Sequence, residues 1–368
     1  MTKIAVVSIM KNEAKHVQRW YESAKDADGL YILDTGSEDD SYNIAKELGI
    51  NVYRADIQPW HFANARNMLL DMLPDDIDWI INLDLDEVLV AGWREALEAV
   101  PNDGSITRPR YNYTWNFNPD GSPGLQYNGD KIVRRHSHRW KGACHEVNVT
   151  QPGHEERQTF CDVKIEHYAD NTKSRGSYLA LLALDVEEDP TNDRQRYYYA
   201  RELFFNGQYE EAIKQFKHHL SMPEARWDAE RAWSMRYLAR LIPDETEAWL
   251  LRACAEYPHA REPWVDLSEY YYGKNIYAGS LFAASKALAI KDKGGLYLNE
   301  ASAWSWKPYD LAAIAAYNLG SYEDAYMSGL KALSLNPEDT RLQDNVRYYE
   351  EKIPQETRAQ YRAVASAM

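Results

Sequence analysis

This sequence of 368 residues contains few cysteines and fewer basic than acidic residues. The three cysteines, Cys144, Cys161 and Cys254, are odd in number and unevenly spaced, so they predict neither a disulfide framework nor a cysteine-ligated zinc site. Lysine and arginine number 42 against 57 aspartates and glutamates, which gives a formal charge of −15. This balance argues against a mainly electrostatic interaction with nucleic acid or anionic lipid, although it is compatible with a local basic patch.

Long apolar runs are also missing from the sequence. The apolar start of the chain, which begins at Ile4, is interrupted by Lys11, Asn12 and Glu13, far short of a membrane span or the core of a signal peptide. We therefore predict a cytoplasmic protein with no membrane partner, and we assign this stretch to a first β-strand. With 45% hydrophobic and 27% charged residues, a chain of this length is expected to fold into two or more globular domains.

The stretch from Trp79 to Leu89 joins an apolar run to an acidic cluster. The run is typical of a buried strand, and Asp84, Asp86 and Glu87 follow it directly. Ligands bind at the carboxyl ends of the strands in open α/β sheets, where a divalent cation can hold a substrate diphosphate beside such carboxylates. A strand that ends in a solvated acidic turn is the alternative, and these residues alone favour neither interpretation.

The residues before this stretch predict parallel βαβ units, because short apolar strands alternate with helical patterns. Polar side chains follow three of these strands: Asn12 and Glu13, then Asp34, then Asp84 and Asp86. Right-handed crossovers place the carboxyl ends of parallel strands at one edge of a sheet, so these clusters are expected to converge. No glycine-rich phosphate loop occurs in the sequence, and a metal on the last two carboxylates would serve in its place.

Four short motifs occur in order along this half of the chain: Val6-Val7-Ser8-Ile9-Met10-Lys11-Asn12-Glu13, Asp34-Thr35-Gly36-Ser37, Ala65-Arg66-Asn67 and Leu83-Asp84-Leu85-Asp86-Glu87. Together they resemble the amino-terminal half of family 2 glycosyltransferases. The resemblance implies a GT-A fold, a nucleotide-sugar donor, and a DxD motif for metal and diphosphate at Asp84 and Asp86. It also implies that the nucleoside faces Asp34 and the segment from Ile9 to Glu13. The donor-binding residues implied in this way are Ile9, Lys11, Asn12, Glu13, Asp34, Arg66, Asp84 and Leu85.

Residues 96–176 carry shorter, aromatic-rich strands such as Arg110–Trp115 and Lys131–Arg135, which suit a mixed sheet beside an acceptor site. Inverting glycosyl transfer needs a carboxylate near the acceptor to take the proton of a hydroxyl or thiol. Glu146 is the candidate for this base. The alternative is a surface glutamate that pairs with Arg134 or Arg135.

The segment Gly142-Ala143-Cys144-His145-Glu146 resembles the second half of the family, particularly members with carboxyl-terminal tetratricopeptide repeats, such as the sublancin-type peptide S-glycosyltransferases. GT-A enzymes often complete the metal site with a residue downstream of DxD, so His167 is a candidate third ligand, with His145 as its rival. The expected cofactor is Mg²⁺ or Mn²⁺, since Mn²⁺ accepts imidazole beside carboxylate oxygens. Lys173 and Arg175 would either contact the diphosphate or begin a helix.

From Tyr178 onward, helical periodicity replaces the strand signals. The segments Tyr197–Leu220 and Leu311–Leu333 share small residues, a Gly-x-Tyr turn and a following proline, a pattern typical of tetratricopeptide repeats. Two more divergent units and a capping helix are predicted around Trp249–Pro258, around Trp264–Ile290 and from Asp344 onward. Such repeats offer a surface for extended chains or for a homodimer.

We therefore predict an α/β GT-A domain, Rossmann-like with a mixed central sheet, over residues 1–176, followed by an all-α tetratricopeptide-like solenoid over residues 177–368. Residues 1–95 would bind the nucleotide-sugar and residues 96–176 the acceptor. The predicted activity is metal-dependent, inverting transfer from a UDP-sugar to a peptide, protein or glycan. The alternatives are a modified DNA base as acceptor, which the net charge disfavours, a nucleotidyl- or phosphosugar transferase, and a non-catalytic scaffold.

Overall fold

The structure is a computed structural model that describes residues 2–118, 120–170, 178–294 and 297–367. It divides the chain into two compact units, Met1–Asp185 and Val186–Met368. The domain boundary predicted between residues 176 and 177 lies outside the described residues, as do Lys173 and Arg175.

The first unit combines strands and helices in the alternating order that the sequence predicts. Its described strands are β1 (Ile4–Met10), β2 (Gly29–Asp34), β3 (Asn51–Arg54), β4 (Trp79–Asn82), β5 (Glu87–Leu89), β6 (Arg108–Thr114), β7 (Gln126–Gly129), β8 (Ile132–Arg134), β9 (His138–Lys141), β10 (Val147–Thr150) and β11 (Gln158–His167). Its described helices are α1 (Ala14–Ala24), α2 (Ser41–Glu47), α3 (Phe62–Asp71), α4 (Trp93–Glu98) and the start of α5 (Tyr178–Glu188).

The central sheet has the order β3-β2-β1-β4-β8. Strands β1 to β4 run parallel, whereas β8 pairs antiparallel with β4. The predicted mixed sheet is therefore confirmed. Its register sets Ile81 of β4 beside Ile132 of β8, so the residue that precedes β8, Lys131, lies next to the carboxyl end of β4.

The core of the first unit lies on both faces of this sheet, because successive side chains of a strand point to opposite sides. In β1, Ile4 and Val6 belong to one buried cluster, and Ala5 and Val7 to the other. Residues of α1 and α2 pack in the first cluster and residues of α3 in the second. A strand buried on both faces can be apolar at consecutive positions, which is why β1 reads as a continuous apolar run.

A second sheet has the order β5-β11-β6-β7, and β9 pairs with β10 in a separate two-stranded sheet. Strand β11 pairs parallel with β6 and antiparallel with β5, which places His167 directly opposite Glu87. Strand β11 is ten residues long, and His167 is its last residue. The second sheet thus begins within the acidic motif itself.

The described part of the second unit is helical, as predicted. Its first and last predicted repeats are the helix pairs α6–α7 and α12–α13, each joined by a turn with a left-handed glycine, Gly207 or Gly320. The segment predicted around Trp249–Pro258 covers only the second helix of the pair α8–α9. The helices are α6 (Asp193–Phe205), α7 (Tyr209–Ser221), α8 (Asp228–Leu241), α9 (Thr246–Glu256), α10 (Arg261–Gly273), α11 (Tyr277–Ala289), α12 (Lys307–Asn318), α13 (Tyr322–Leu335), α14 (Thr340–Glu351) and α15 (Gln355–Ala367).

Neighbouring helices of the second unit bury small residues where they meet. Ala313 and Ala316 of α12 pack with Ala325 of α13, and Tyr349 of α14 closes the same cluster. This is the packing expected of tetratricopeptide-like pairs, in which each unit covers the apolar face of the one before it. No helix in the described ranges is both long enough and apolar enough to span a membrane.

Candidate active site

The polar residues that follow β1, β2 and β4 lie at one edge of the central sheet, because these three strands are parallel neighbours. The convergence expected from the sequence is therefore present. The side chains play different parts at that edge. Some tie loops together, some form ion pairs, and one carboxylate lies beside a histidine.

The loop after β1 is fastened to the loop after β2. Asn12 has a left-handed backbone with φ of 57°, its amide N–H donates to Ser37 Oγ over 3.0 Å, and its Oδ1 accepts from the Glu38 amide over 2.8 Å. The Glu13 amide donates to Ser41 Oγ over 2.7 Å. The loop predicted to face the nucleoside is thus shaped by contacts within the protein, with Lys11 exposed beside it.

Asp34 is fully buried at the end of β2, and both of its oxygens are engaged. Oδ1 accepts from the Ser37 amide over 2.9 Å, and Oδ2 accepts from Arg54 Nε over 3.0 Å. The guanidinium of Arg54 in turn stacks on Tyr42, with 3.6 Å between its central carbon and the ring centre. A nucleoside that binds Asp34 through its side chain would have to replace Arg54.

Asp84, the first aspartate of the predicted DxD motif, is held between two cations. Its Oδ1 accepts from Arg66 Nη2 over 2.8 Å, and its Oδ2 accepts from Lys131 Nζ over 2.6 Å. Burial opposes ionisation of this carboxyl, but the charges of Arg66 and Lys131 outweigh it and hold the pKa of Asp84 well below its ordinary value. Leu85, which follows it, is buried in the core, so only its backbone can face a donor.

Glu87 supports the motif from within the protein. Its side chain accepts from the Asp84 amide over 2.8 Å, from the Tyr113 hydroxyl over 2.7 Å and from Lys131 Nζ over 2.8 Å. Burial raises the pKa of Glu87, Lys131 opposes that shift, and the charge of Asp84 adds to it. With all of these donors directed at it, Glu87 fixes the turn that carries the two aspartates.

Asp86, the second aspartate of the motif, lies beside His167. Its Oδ2 is 3.5 Å from His167 Nε2, while His167 Nδ1 is 3.0 Å from the carbonyl oxygen of Trp115. Burial lowers the pKa of His167, but the hydrogen bonds to Asp86 and to that carbonyl outweigh burial and raise it above its ordinary value. The ring of the rival candidate, His145, lies 5.8 Å from that of Tyr178.

A divalent cation fits this site in part. An imidazole nitrogen next to a carboxylate is a suitable donor set for a borderline metal such as Mn²⁺, and a backbone carbonyl on the other ring nitrogen is the usual orienting partner. In the described part of the chain, however, Asp84, Asp86 and His167 do not bring three ligand atoms within 4.8 Å of one another. The reason is that Asp84 is turned toward Arg66 and Lys131.

Glu146, the predicted base, belongs to the same network. Its Oε1 accepts from Arg66 Nε over 2.7 Å, and the Arg66 guanidinium also lies over the Trp140 ring at 4.8 Å. The alternative of a surface pair with Arg134 or Arg135 is wrong, because the described side chain of Glu146 pairs with Arg66.

The loop that carries Glu146 is anchored by its backbone. The amides of Ala143 and Cys144 both donate to the carboxylate of Asp185, the latter over 2.9 Å. Gly142 and His145 have positive φ values of 106° and 51°, so the chain turns sharply on both sides of this anchor. The turn directs Glu146 toward Arg66 of helix α3.

Sequence reasoning missed Lys131 and Asp185 as contributors to this site. Lys131 was visible as a charged residue at the start of an apolar strand, but its partners are 47 and 44 positions away in the sequence. Asp185 binds residues 42 and 41 positions away. A pairing between β8 and β4 would have had to be predicted first.

Comparisons with known proteins relate part of this chain to glycosyltransferases. Residues 5–140 match the sequence model of the family described as glycosyl transferase family 2. An uncharacterized glycosyltransferase of Rickettsia felis is 33% identical over 101 residues, which cover 27% of this chain and 34% of that protein. A TPR repeat-containing protein of Synechococcus elongatus is 36% identical over 99 residues, which cover 26% of this chain and 23% of that protein.

The chain therefore spans about a third of the length of the first relative and less than a quarter of the second. Among solved structures, S. aureus TarS matches with a TM-score of 0.37 and 11% identity, over 69% of this chain and 53% of TarS.

Proposed function

We propose that this chain, whose first unit contains a family 2 glycosyl transferase domain, transfers a sugar from a nucleotide-sugar to a hydroxyl or thiol of a peptide, protein or glycan, with inversion at the sugar carbon. The observation that carries the proposal is the position of Arg66. One guanidinium binds Asp84 of the DxD motif over 2.8 Å and the predicted base Glu146 over 2.7 Å. The donor motif and the base are thereby held in one rigid group.

The donor is proposed to be UDP-linked and to lie at the edge formed by the ends of β1, β2 and β4. The loop from Ile9 to Glu13 and Asp34 would contact the nucleoside, and the backbone at Leu85 would lie near the diphosphate. This assignment is supported by the convergence of these residues at the carboxyl ends of parallel strands, where ligands of open α/β sheets bind. Soluble ligands rather than long polyanions suit the net charge of −15.

Asp86 and His167 are proposed to hold a Mg²⁺ or Mn²⁺ ion, with Asp84 acting mainly as the carboxylate that positions Arg66. When bound, such an ion would neutralise charge on the departing diphosphate. His167 must give up its proton before it can bind metal, and its Nδ1 contact with the Trp115 carbonyl leaves Nε2 on the side of Asp86. EDTA is expected to reduce turnover by at least tenfold, and Mn²⁺ to restore it.

Glu146 is proposed to take the acceptor proton. As the acceptor oxygen or sulfur forms a bond to the sugar carbon, its proton passes to the Glu146 carboxylate, and the bond from the sugar carbon to the diphosphate oxygen breaks with its electron pair on the leaving group. The described contacts engage only Oε1 of this carboxylate, through Arg66. Arg66 therefore orients the base while Oε2 remains for the proton.

A donor screen tests the proposal. Full-length protein is incubated with UDP-, GDP-, CDP- and TDP-sugars, with and without Mn²⁺, and release of the free nucleoside diphosphate is measured. We expect release from one class of donor, increased by an acceptor peptide or glycan. Absence of release from every donor, together with absence of UDP binding by calorimetry, would overturn the proposal.

Two substitutions assign the roles. Glu146→Gln keeps the shape of the side chain but removes the proton acceptor, so transfer is expected to fall by about 10²- to 10⁴-fold. Asp86→Asn is expected to remove the response to Mn²⁺. Glu155→Gln changes an exposed glutamate of the same unit and serves as the matched control. Full activity in the Glu146 variant would show that another group takes the proton.

A further inference from the structure

The helical unit contains a second group of potential metal ligands, distinct from the candidate active site. Asp193 begins α6, His219 lies near the end of α7, and Glu230 lies in the first turn of α8. One ligand atom of each lies within 4.8 Å of the other two. We propose that these three residues bind a divalent transition-metal ion, Zn²⁺ by preference, which joins the first three helices of this unit.

The main evidence for this proposal is the environment of the His219 imidazole. The side chain is 0% exposed, and its Nδ1 lies 2.9 Å from Ser234 Oγ, which fixes the ring. Its Nε2 is buried and has no hydrogen-bond partner among the described residues. Such an atom is costly unless something binds it, since a buried polar group without a partner loses its hydration without compensation.

The contact with Ser234 also suits a metal ligand. A histidine that binds metal through one ring nitrogen usually has the other nitrogen held by a hydrogen bond, which sets the orientation of the ring. Here Ser234 of α8 occupies Nδ1 and leaves Nε2 as the coordinating atom. Burial, and secondarily the charge of Arg231, lowers the pKa of His219 to about 4, which favours the neutral imidazole that metal binding requires.

The carboxylates provide the charge that a cation requires. Glu230 is buried, its Oε1 accepts from the Tyr297 hydroxyl over 2.8 Å, and the same oxygen forms an ion pair with Arg194 Nε at 3.2 Å. Burial raises the pKa of both Asp193 and Glu230, so a further positive charge beside them would stabilise their ionised forms. Arg194 acts on both carboxylates and Arg201 on Glu230, so the arginines already offset part of the negative charge.

The nearby arginines limit how strongly a cation is held. Arg194 lies against Glu230, and Arg231 lies close enough to His219 to affect its pKa, although Arg231 is itself paired with Glu256. One imidazole nitrogen and two carboxylate oxygens with an open fourth position match a zinc coordination set. In a zinc tetrahedron the ligand atoms are roughly 3.4 Å apart, a spacing that falls within the 4.8 Å that bounds the separation of these three atoms.

The test uses full-length protein that carries Asp86→Ala and His167→Ala, so that the candidate active site contributes no metal binding. After dialysis against a chelator, Co²⁺ is added and the visible absorption bands of a low-coordinate cobalt site are recorded, followed by competition with Zn²⁺. We expect one Co²⁺ per chain, displaced by Zn²⁺. Absence of bound Co²⁺ and Zn²⁺ in this background overturns the proposal.

A neighbouring histidine provides the control. His218 is exposed on the same helix, so His218→Ala should leave the Co²⁺ spectrum unchanged, whereas His219→Ala should abolish it. If His219→Ala does not fold, as judged by circular dichroism, Asp193→Asn decides the matter, because this residue is only partly buried. It is expected to weaken Zn²⁺ binding by at least tenfold, and unchanged binding in that variant would overturn the assignment.

Discussion

The buried acidic groups near Asp84 and those near His219 differ in how they are paired with other side chains. In the first unit, Asp84 and Glu87 are matched by Lys131, Arg66 and the Tyr113 hydroxyl. In the second unit, Asp193 and Glu230 lie near His219, and Glu230 pairs with Arg194. The Nε2 atom of His219 has no hydrogen-bond partner among the described residues. Buried charges that are already paired can fold without a ligand, whereas an unpaired buried nitrogen beside carboxylates indicates a missing partner.

The two candidate metal sites also differ in where their ligands would come from. Asp84 is occupied by cations of the chain itself, so a metal at the active site would depend on Asp86, His167 and the oxygens of the substrate. The group around His219 draws its three candidate ligands from three helices and none from a substrate. The first site is suited to an ion that arrives with a ligand, and the second to an ion that stays with the fold.

The largest effect is expected when Lys131, the cation that pairs with Asp84 and Glu87, is replaced. Lys131→Met leaves Asp84 and Glu87 without their shared partner, and the free energy of unfolding should fall by about 3 to 5 kcal/mol. Urea unfolding followed by tryptophan fluorescence measures the change. Lys214→Met, which breaks an exposed pair with Glu211, should change stability by less than about 0.5 kcal/mol.

A double variant separates lost pairing from lost packing. Adding Glu87→Gln to Lys131→Met removes the carboxylate charge that Lys131 paired, while Asp84 keeps its pair with Arg66, so the double variant should be more stable than the single one. If Lys131→Met alone lowers the free energy of unfolding by less than about 1 kcal/mol, Lys131 is not what stabilises the buried carboxylates Asp84 and Glu87.

Acid titration tests His138, a buried histidine of the first unit. Burial, and then the charge of Arg108, lowers the pKa of His138 to about 4, while its ring nitrogens lie 2.6 Å from Ser137 Oγ and 3.3 Å from Thr150 Oγ1. Since the unfolded state binds this proton near pH 6.5 and the folded state only near pH 4, stability falls as the pH decreases through that window. The contribution reaches about 3 kcal/mol at pH 4.

The variant His138→Gln should lose that part of the acid dependence while keeping a polar side chain between Ser137 and Thr150. The free energy of unfolding is measured in urea at pH 7, 5.5 and 4.5 for both proteins. Parallel decreases in the two proteins would show that His138 does not govern the acid response of the first unit.

A smaller effect on stability is expected from Tyr113, the neutral side chain that donates to Glu87. Tyr113→Phe removes the hydroxyl that donates to Glu87 over 2.7 Å and should cost about 1.5 kcal/mol, since the acceptor is a buried carboxylate. Tyr127→Phe, in the neighbouring and more exposed ring, is the control. A cost no larger than that of the control would mean that Lys131 and the Asp84 amide satisfy Glu87 without the hydroxyl.

Much of the fold was predictable because its signals are local. The apolar run of β1, the polar residues after β2 and β4, and the Gly-x-Tyr turns of the helix pairs each occupy a few neighbouring positions. These features predict the parallel strands and the helical second unit, and the short strands after residue 96 predict the mixed sheet. All three are present.

The contacts within the site were less predictable, because they join distant segments. That Asp84 would pair with Arg66 and Lys131 depends on the register of β8 against β4 and on the position of α3. The buried group around His219 left no motif at all, since its three residues come from three helices and have no fixed spacing. Side-chain pairing across elements is decided by packing, which composition and periodicity do not record.

The contacts of Asn12 affect how a nucleotide donor would bind. Its left-handed backbone and its hydrogen bonds to Ser37 and Glu38 order the loop after β1 within the folded protein. The conformational entropy of that loop is therefore lost during folding and is not subtracted from the affinity of an incoming nucleotide. Discrimination between nucleotides at this edge would then depend on the fixed shape of the loop and not on its closure around the ligand.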